Sequence, residues 1–250
     1  MIIGLSGYAG SGKDTVGKII QWQKTRSDIA LSSFELLSKQ EQSYNWQIKK
    51  FAGPLRKVAA ILLGMDEEFL HTDEFKQMVL PQPWNKLKVV FENDEHRNDA
   101  YSVVPMTGRE FLQLLGTDAI RDGLHPNAWV NALMSEYRCL DAQKRASIGN
   151  VLDYSACKFP NWIITDMRFP NEMAAIKDRG GITIRVNRGK AINLHPSETA
   201  FDNAQFDFVI DNNGTIDDLI NNVRTILNQL EYGKSTKAGT QQNGSSSTGN

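Results

Sequence analysis

Little in this chain of 250 residues points toward a bound metal cluster, a membrane or a nucleic-acid polymer. Cysteine occurs twice, at Cys139 and Cys157, in no metal-ligand spacing, which suits a reducing cytoplasm. The four histidines, His71, His96, His125 and His195, are scattered, and no pair has the spacing of a zinc site. No apolar run approaches the ~20 residues of a membrane span, and the chain opens on a strand with no basic signal region. A formal net charge of −1 gives no global attraction to DNA, RNA or an anionic membrane. From Gly233 to Asn250 no apolar residue follows Ala238, so this tail cannot offset its ordering entropy and is expected to be disordered. The folded part is therefore expected over 1–232.

What the chain does have is Gly7-Tyr8-Ala9-Gly10-Ser11-Gly12-Lys13-Asp14-Thr15, directly after the apolar run Met1 to Leu5. The spacing is G-x-x-x-x-G-K, that of a phosphate-binding P-loop between a buried strand and a helix. Glycines at 7, 10 and 12 let the loop curl, so that successive N–H groups and the positive helix end face one anion. Gly10, Gly12, Lys13, Asp14 and Thr15 are the candidate phosphate contacts, with Lys13 reaching the β- and γ-phosphates of a nucleoside triphosphate. Asp14 stands where Ser or Thr usually ligates Mg²⁺. A carboxylate there repels a triphosphate unless a cation intervenes, which makes Asp14 a candidate metal ligand, direct or through water. The alternative is that Asp14 only caps the helix.

Apolar periodicity predicts a first helix from Lys13 to about Lys24, with Val16, Ile19, Ile20 and Gln23 toward a sheet. Between Thr25 and Gln47 the apolar island Phe34, Leu36 and Leu37 reads as a short helix or loop. Ile48 to Ala52 reads as a strand, and Leu55 to Leu63 as a helix stopped by Gly64. Asp66 to Pro105 is irregular and is read, over 66–107, as an insertion rather than core. Thr107 and Glu110 form a capping-box signature for a helix ending near Gly116. A further helix is expected over Asn127 to Leu140. Then come the strand Trp162 to Asp166, a helix from Asn171 to Arg179, and strands at Ile182 to Val186 and Phe206 to Ile210. Thr215 opens a last helix carrying Ile216, Leu219, Ile220, Val223, Leu227 and Leu230. Strands alternating with helices give an α/β fold with a mostly parallel sheet covered on both faces.

In such sheets ligands bind beyond the carboxyl ends of the strands. Besides the glycine loop, Asp166 to Glu172 brings charge to that edge. Asp166 could hold a metal-bound water or a substrate hydroxyl, Arg168 a phosphate, and Glu172 could orient that arginine or a base. The alternative is a surface ion-pair network at a strand-to-helix turn.

The chain resembles the phage deoxynucleoside monophosphate kinases. The carriers are G-K-D-T in the loop, Phe51-Ala52-Gly53-Pro54-Leu55-Arg56, and Arg109 followed by Leu112-Gln113-x-Leu115-Gly116-Thr117-Asp118. Trp129, the Asp166-x-Arg168-x-x-x-Glu172 turn and the His195-x-x-Glu198 pair complete the set, in the family's order from Met1 to about Leu230. Residues 66–105 do not match residue by residue. The resemblance implies a P-loop NTPase-type fold with an inserted acceptor or lid region. It also implies transfer of the γ-phosphoryl of ATP, with Mg²⁺, to a (deoxy)nucleoside 5′-monophosphate. Lys13, Asp166 and Arg168 would carry catalysis. Leu55, Arg56, Arg109, Gly116, Thr117, Asp118, Trp129, Asp166, Arg168 and Glu172 would bind the acceptor. Arg56 and Arg109 could instead be solvated surface arginines, and Trp129 a core residue rather than a stacking surface. His195 and Glu198 stay unassigned. The expected setting is the cytoplasm, of the host if the chain is phage-encoded, with a homodimer allowed.

Three rivals share the loop. A kinase of another small metabolite, such as a dephospho-coenzyme-A kinase, is opposed by the Asp166-to-Glu172 turn and the Leu115-to-Asp118 run. A nucleotide switch would need the hydroxyl that Asp14 replaces, and a DNA motor would need a basic track.

Overall fold

The computed structural model describes residues 1–25, 45–90, 100–140, 157–189, 201 and 204–240. The apolar island at 34–37, His195 and Glu198 lie outside them. In chain order the chain forms β1 (Ile2–Ser6), α1 (Lys13–Thr25), β2 (Trp46–Lys49), α2 (Gly53–Leu63) and α3 (Asp73–Gln77). A hairpin follows, β3 (Lys86–Val90) with β4 (Ala100–Val104), then α4 (Gly108–Gln113) and α5 (Ala128–Met134). The last elements are β5 (Asn161–Ile164), α6 (Pro170–Lys177), β6 (Ile182–Asn187), β7 (Phe208–Asp211) and α7 (Ile216–Thr240). These fall into two compact units, one of residues 1–50 and 135–250, the other Phe51–Met134.

The first unit is built on a five-stranded parallel sheet in the order β2-β5-β1-β6-β7. Ile3 and Leu5 of β1, Ile163 of β5, Ile184 and Val186 of β6 and Ile210 of β7 alternate onto one face. There they meet Val16, Ile19 and Ile20 of α1 and Leu219, Ile220, Val223, Ile226 and Leu227 of α7. Most of these side chains are almost wholly buried, and each such burial is worth roughly 1.5–3 kcal/mol. Ile176 of α6 packs on the opposite face near Gly4, so helices cover both sides as the alternation of elements requires. The expected α/β architecture is what the chain adopts. Gln23 faces α7 rather than the sheet, its Nε2 donating to the Ile220 carbonyl at 3.1 Å, while Trp22 takes the buried place at 6% exposure.

The second unit has a centre of its own, made of Ala59, Leu70, Phe75, Leu80, Met106 and Phe111. Four of these six belong to 66–107, which the sequence led us to set outside the core. Single apolar residues carried by short elements give no helical or strand period, so their burial is invisible in the sequence. The Thr107–Glu110 capping box forms as expected: the Glu110 amide donates to Thr107 Oγ1 at 3.3 Å, and the Thr107 amide to Glu110 Oε2 at 2.8 Å. The helix does not stop near Gly116. It widens into a π-helical stretch over Leu114–Asp122, within which the Gly116 carbonyl accepts the Trp129 indole N–H at 2.8 Å. The helix expected to reach Leu140 ends at Met134.

Helical backbone continues to Thr240, past the Gly233 at which order was expected to end. Residues 241–250 lie outside the description. Cys139 and Cys157, expected to suit a reducing cytoplasm, are joined as a disulfide with Cα atoms 5.5 Å apart. No helix among the described residues is long and apolar enough to cross a membrane.

Candidate active site

The glycine loop joins β1 to α1 at the carboxyl edge of the sheet, and its shape is imposed by backbone contacts. A Cβ at Gly7 would lie 2.3 Å from the Val186 carbonyl oxygen, so no larger residue lets the loop leave β1 along β6. Gly12 sits at φ +94°, and a Cβ there would come 2.5 Å from Asn212 Nδ2. Asn212, the residue after β7, is buried and donates that amide to the Ser11 carbonyl at 2.9 Å. The loop therefore leaves β1 close against β6 and is bonded by the residue that follows β7. Sequence reading missed Asn212, whose only signal is a polar residue directly after a strand at the ligand edge.

Lys13 Nζ donates to the carbonyls of Gly7 at 2.6 Å and Tyr8 at 2.7 Å. Its ammonium thus rests on two carbonyls of the glycine loop itself. Asp14 lies in the first turn of α1. Its Oδ1 accepts from Thr165 Oγ1 at 2.7 Å and pairs with Lys50 Nζ at 3.0 Å, tying the loop helix to the ends of β2 and β5. Partial burial works to raise the Asp14 pKa. The Thr165 hydroxyl, Lys50 and the charge of Lys13 outweigh it and hold the carboxyl below its ordinary range. Two-thirds of the Asp14 side chain stays exposed, so the ionised group faces solvent beside the phosphate nest.

Asp166 and Arg168 follow β5 directly, the first half-buried and the second exposed. Glu172, at 2% exposure, accepts the amides of Arg168 at 2.7 Å and Phe169 at 3.1 Å. These bonds hold the backbone of the turn, so Glu172 fixes where Arg168 starts from. The structure thus brings Asp14, Thr165 and Asp166 to one edge with the loop.

The remaining sequence candidates lie in the second unit. Leu55 packs against Gly116, where a Cβ would lie 2.8 Å from its Cδ2. Trp129 is buried and bonded to the Gly116 carbonyl as above, which ties Leu55, Gly116 and Trp129 into one cluster. Arg56 is half-buried on the first turn of α2, and Arg109, Thr117 and Asp118 are exposed. Among the described residues no group of three or more His, Cys, Asp or Glu forms a metal site.

Compared with known families, residues 41–223 match the model for deoxynucleotide monophosphate kinase. A putative deoxynucleotide monophosphate kinase of Acanthamoeba polyphaga mimivirus is 28% identical, over 89% of this chain and 94% of its own length. The deoxynucleoside-5′-monophosphate kinase of Escherichia phage T5 is 25% identical over 80% of each chain. The deoxynucleotide monophosphate kinase of Enterobacteria phage T4 is 26% identical, over 82% of this chain and 71% of its own length.

Proposed function

The chain belongs to the deoxynucleotide monophosphate kinase family, and from that premise we propose that it moves the γ-phosphoryl of ATP onto a deoxynucleoside 5′-monophosphate. The products are ADP and the deoxynucleoside diphosphate, and the setting is the cytoplasmic nucleotide pool. The partners are two nucleotides, with no nucleic-acid polymer.

The observation that carries the reading is the anchored glycine loop with Lys13 poised over it. Phosphoryl transfer needs alignment and neutralisation of charge more than a covalent nucleophile. The loop amides and the α1 terminus take the donor phosphates. Lys13 exchanges its two carbonyl partners for phosphate oxygens, and Thr15 bonds the α-phosphate. Arg168, started from the turn that Glu172 holds, meets the charge on the transferring group. Asp166 accepts a hydrogen bond from the acceptor. The acceptor-phosphate candidates Arg56, Arg109, Thr117 and Asp118 belong to the second unit, where Leu55, Gly116 and Trp129 support the Gly116 stretch.

Mg²⁺ fits the residues present. It commonly binds substrate phosphates plus one or two carboxylates, and the ionised, exposed Asp14, bonded to Thr165 next in sequence to Asp166, would supply one of them. When bound, the ion neutralises charge on the donor phosphates.

The test is a coupled assay of ADP formation across deoxy- and ribonucleoside monophosphates of every base. Turnover with at least one deoxynucleotide is expected. ATP binding without turnover on any of them would leave only a nucleotide-binding protein.

A further inference from the structure

Arg185 is buried in a way the mechanism above does not use. It lies in β6 between Ile184 and Val186, which face the apolar layer under α1 and α7, so the strand's alternation sends Arg185 to the other face. In the sheet register it stands opposite Ser6, the last residue of β1 before the glycine loop. Only 9% of the residue is exposed.

A guanidinium has five N–H donors. Here one of them is directed at Ser6 Oγ, at 3.3 Å. The cation otherwise rests between two rings, its carbon 4.6 Å from the centroid of Tyr8 and 5.8 Å from that of Phe206. Among the described residues no carboxylate stands within ion-pair distance of it. Buried charges are almost always paired, because removing them from water is costly, and aromatic faces offset only part of that cost. Tyr8 identifies the missing partner. It is a residue of the glycine loop itself, and its carbonyl is one of the two that hold Lys13. The unpaired cation is laid against the element that receives an anion.

We propose that Arg185 is a phosphate ligand: its unused N–H groups bind an oxygen of the polyphosphate seated in the glycine loop. Tyr8 and Phe206 hold the guanidinium plane ready for it. Only the identity of the anion's owner, ATP, rests on the kinase reading.

Equilibrium binding of ATP and of inorganic tripolyphosphate to the full chain tests this, with R185M and R185K alongside the parent. R185M should weaken both probes at least tenfold and by similar factors, because the contact is to phosphate and not to base. R185K should fall between, since an ammonium keeps the charge and loses the fork. The unliganded melting temperature of R185M should hold or rise, because an unpaired buried cation has been removed. Affinities within twofold of the parent, or a loss confined to ATP, would overturn the proposal. So would failure of both variants to fold, which would make Arg185 a structural tie for Tyr8. A parent that binds both probes but phosphorylates no nucleoside monophosphate would sink the kinase reading alone.

Discussion

At the scale of single residues, charge placement around the loop decides what each variant should do. Lys13→Ala removes the cation that faces the transferring phosphoryl group, so turnover should drop by ~10³ or more. The fold should survive, because the two bonds to Gly7 and Tyr8 are together worth about 1–3 kcal/mol. Activity and circular dichroism on one sample check both halves, and loss of the helical signal would mark the lysine as structural. Asp14 is the finer case, since its Oδ1 serves Thr165 and Lys50 while the group stays exposed. Asp14→Ala should raise the Mg²⁺ concentration needed for half-maximal rate and leave the KM of the monophosphate nearly unchanged. Asp14→Ser should recover part of the metal response, because a hydroxyl is the commoner ligand there. If the aspartate serves only to hold β2 and β5, the melting temperature falls and the Mg²⁺ midpoint stays put.

At the scale of elements, the turn from β5 into α6 separates positioning from chemistry. Arg168→Ala should cut the rate by ~10³ with no change in melting temperature, because the side chain is exposed. Glu172→Gln should do the reverse first, lowering the melting temperature as the buried carboxylate's bonds to two amides weaken. Equal losses of stability in the two variants would contradict this division. Elements of this kind were legible in the sequence because each announces itself locally. The glycine spacing follows an apolar strand, Thr107 and Glu110 are three residues apart, and Gly64 closes α2 in the left-handed region at φ +64°. What was not legible depends on partners far along the chain. Arg185 acquires its meaning from a register with Ser6, 179 residues away, and Asn212 from its bond to Ser11, 201 residues away. The centre of the second unit was hidden for a related reason, since Leu70, Phe75 and Leu80 belong to separate short segments. The π-helical stretch at Gly116 lies against Leu55 and Trp129, contacts that no local pattern encodes.

At the scale of the whole molecule, the terminal helix and the disulfide bear on stability rather than on the site. The apolar side chains of α7 that reach the sheet core end with Leu227 and the half-buried Leu230. Truncation after Tyr232 should therefore leave melting temperature and rate where they were, and a clear drop in either would show that the last turns dock. The disulfide should behave otherwise. Cys139 follows α5 and Cys157 precedes β5, and the bridge closes a loop of 18 residues in sequence. Such a closure removes freedom from the unfolded chain worth roughly 3 kcal/mol in the loop-entropy picture. Its loss should lower the melting temperature by about 6–12 °C for a chain of this size. Neither cysteine belongs to the groups placed around the phosphates, so the rate below the melting transition should not change. The measurement is a melting curve of the parent with and without reductant, beside Cys139→Ser. If the pair is bonded, reductant and substitution shift the parent curve alike, and reductant does nothing further to the variant. A parent with two titratable thiols and a melting temperature indifferent to reductant would instead return both cysteines to the reduced state that a cytoplasmic setting favours.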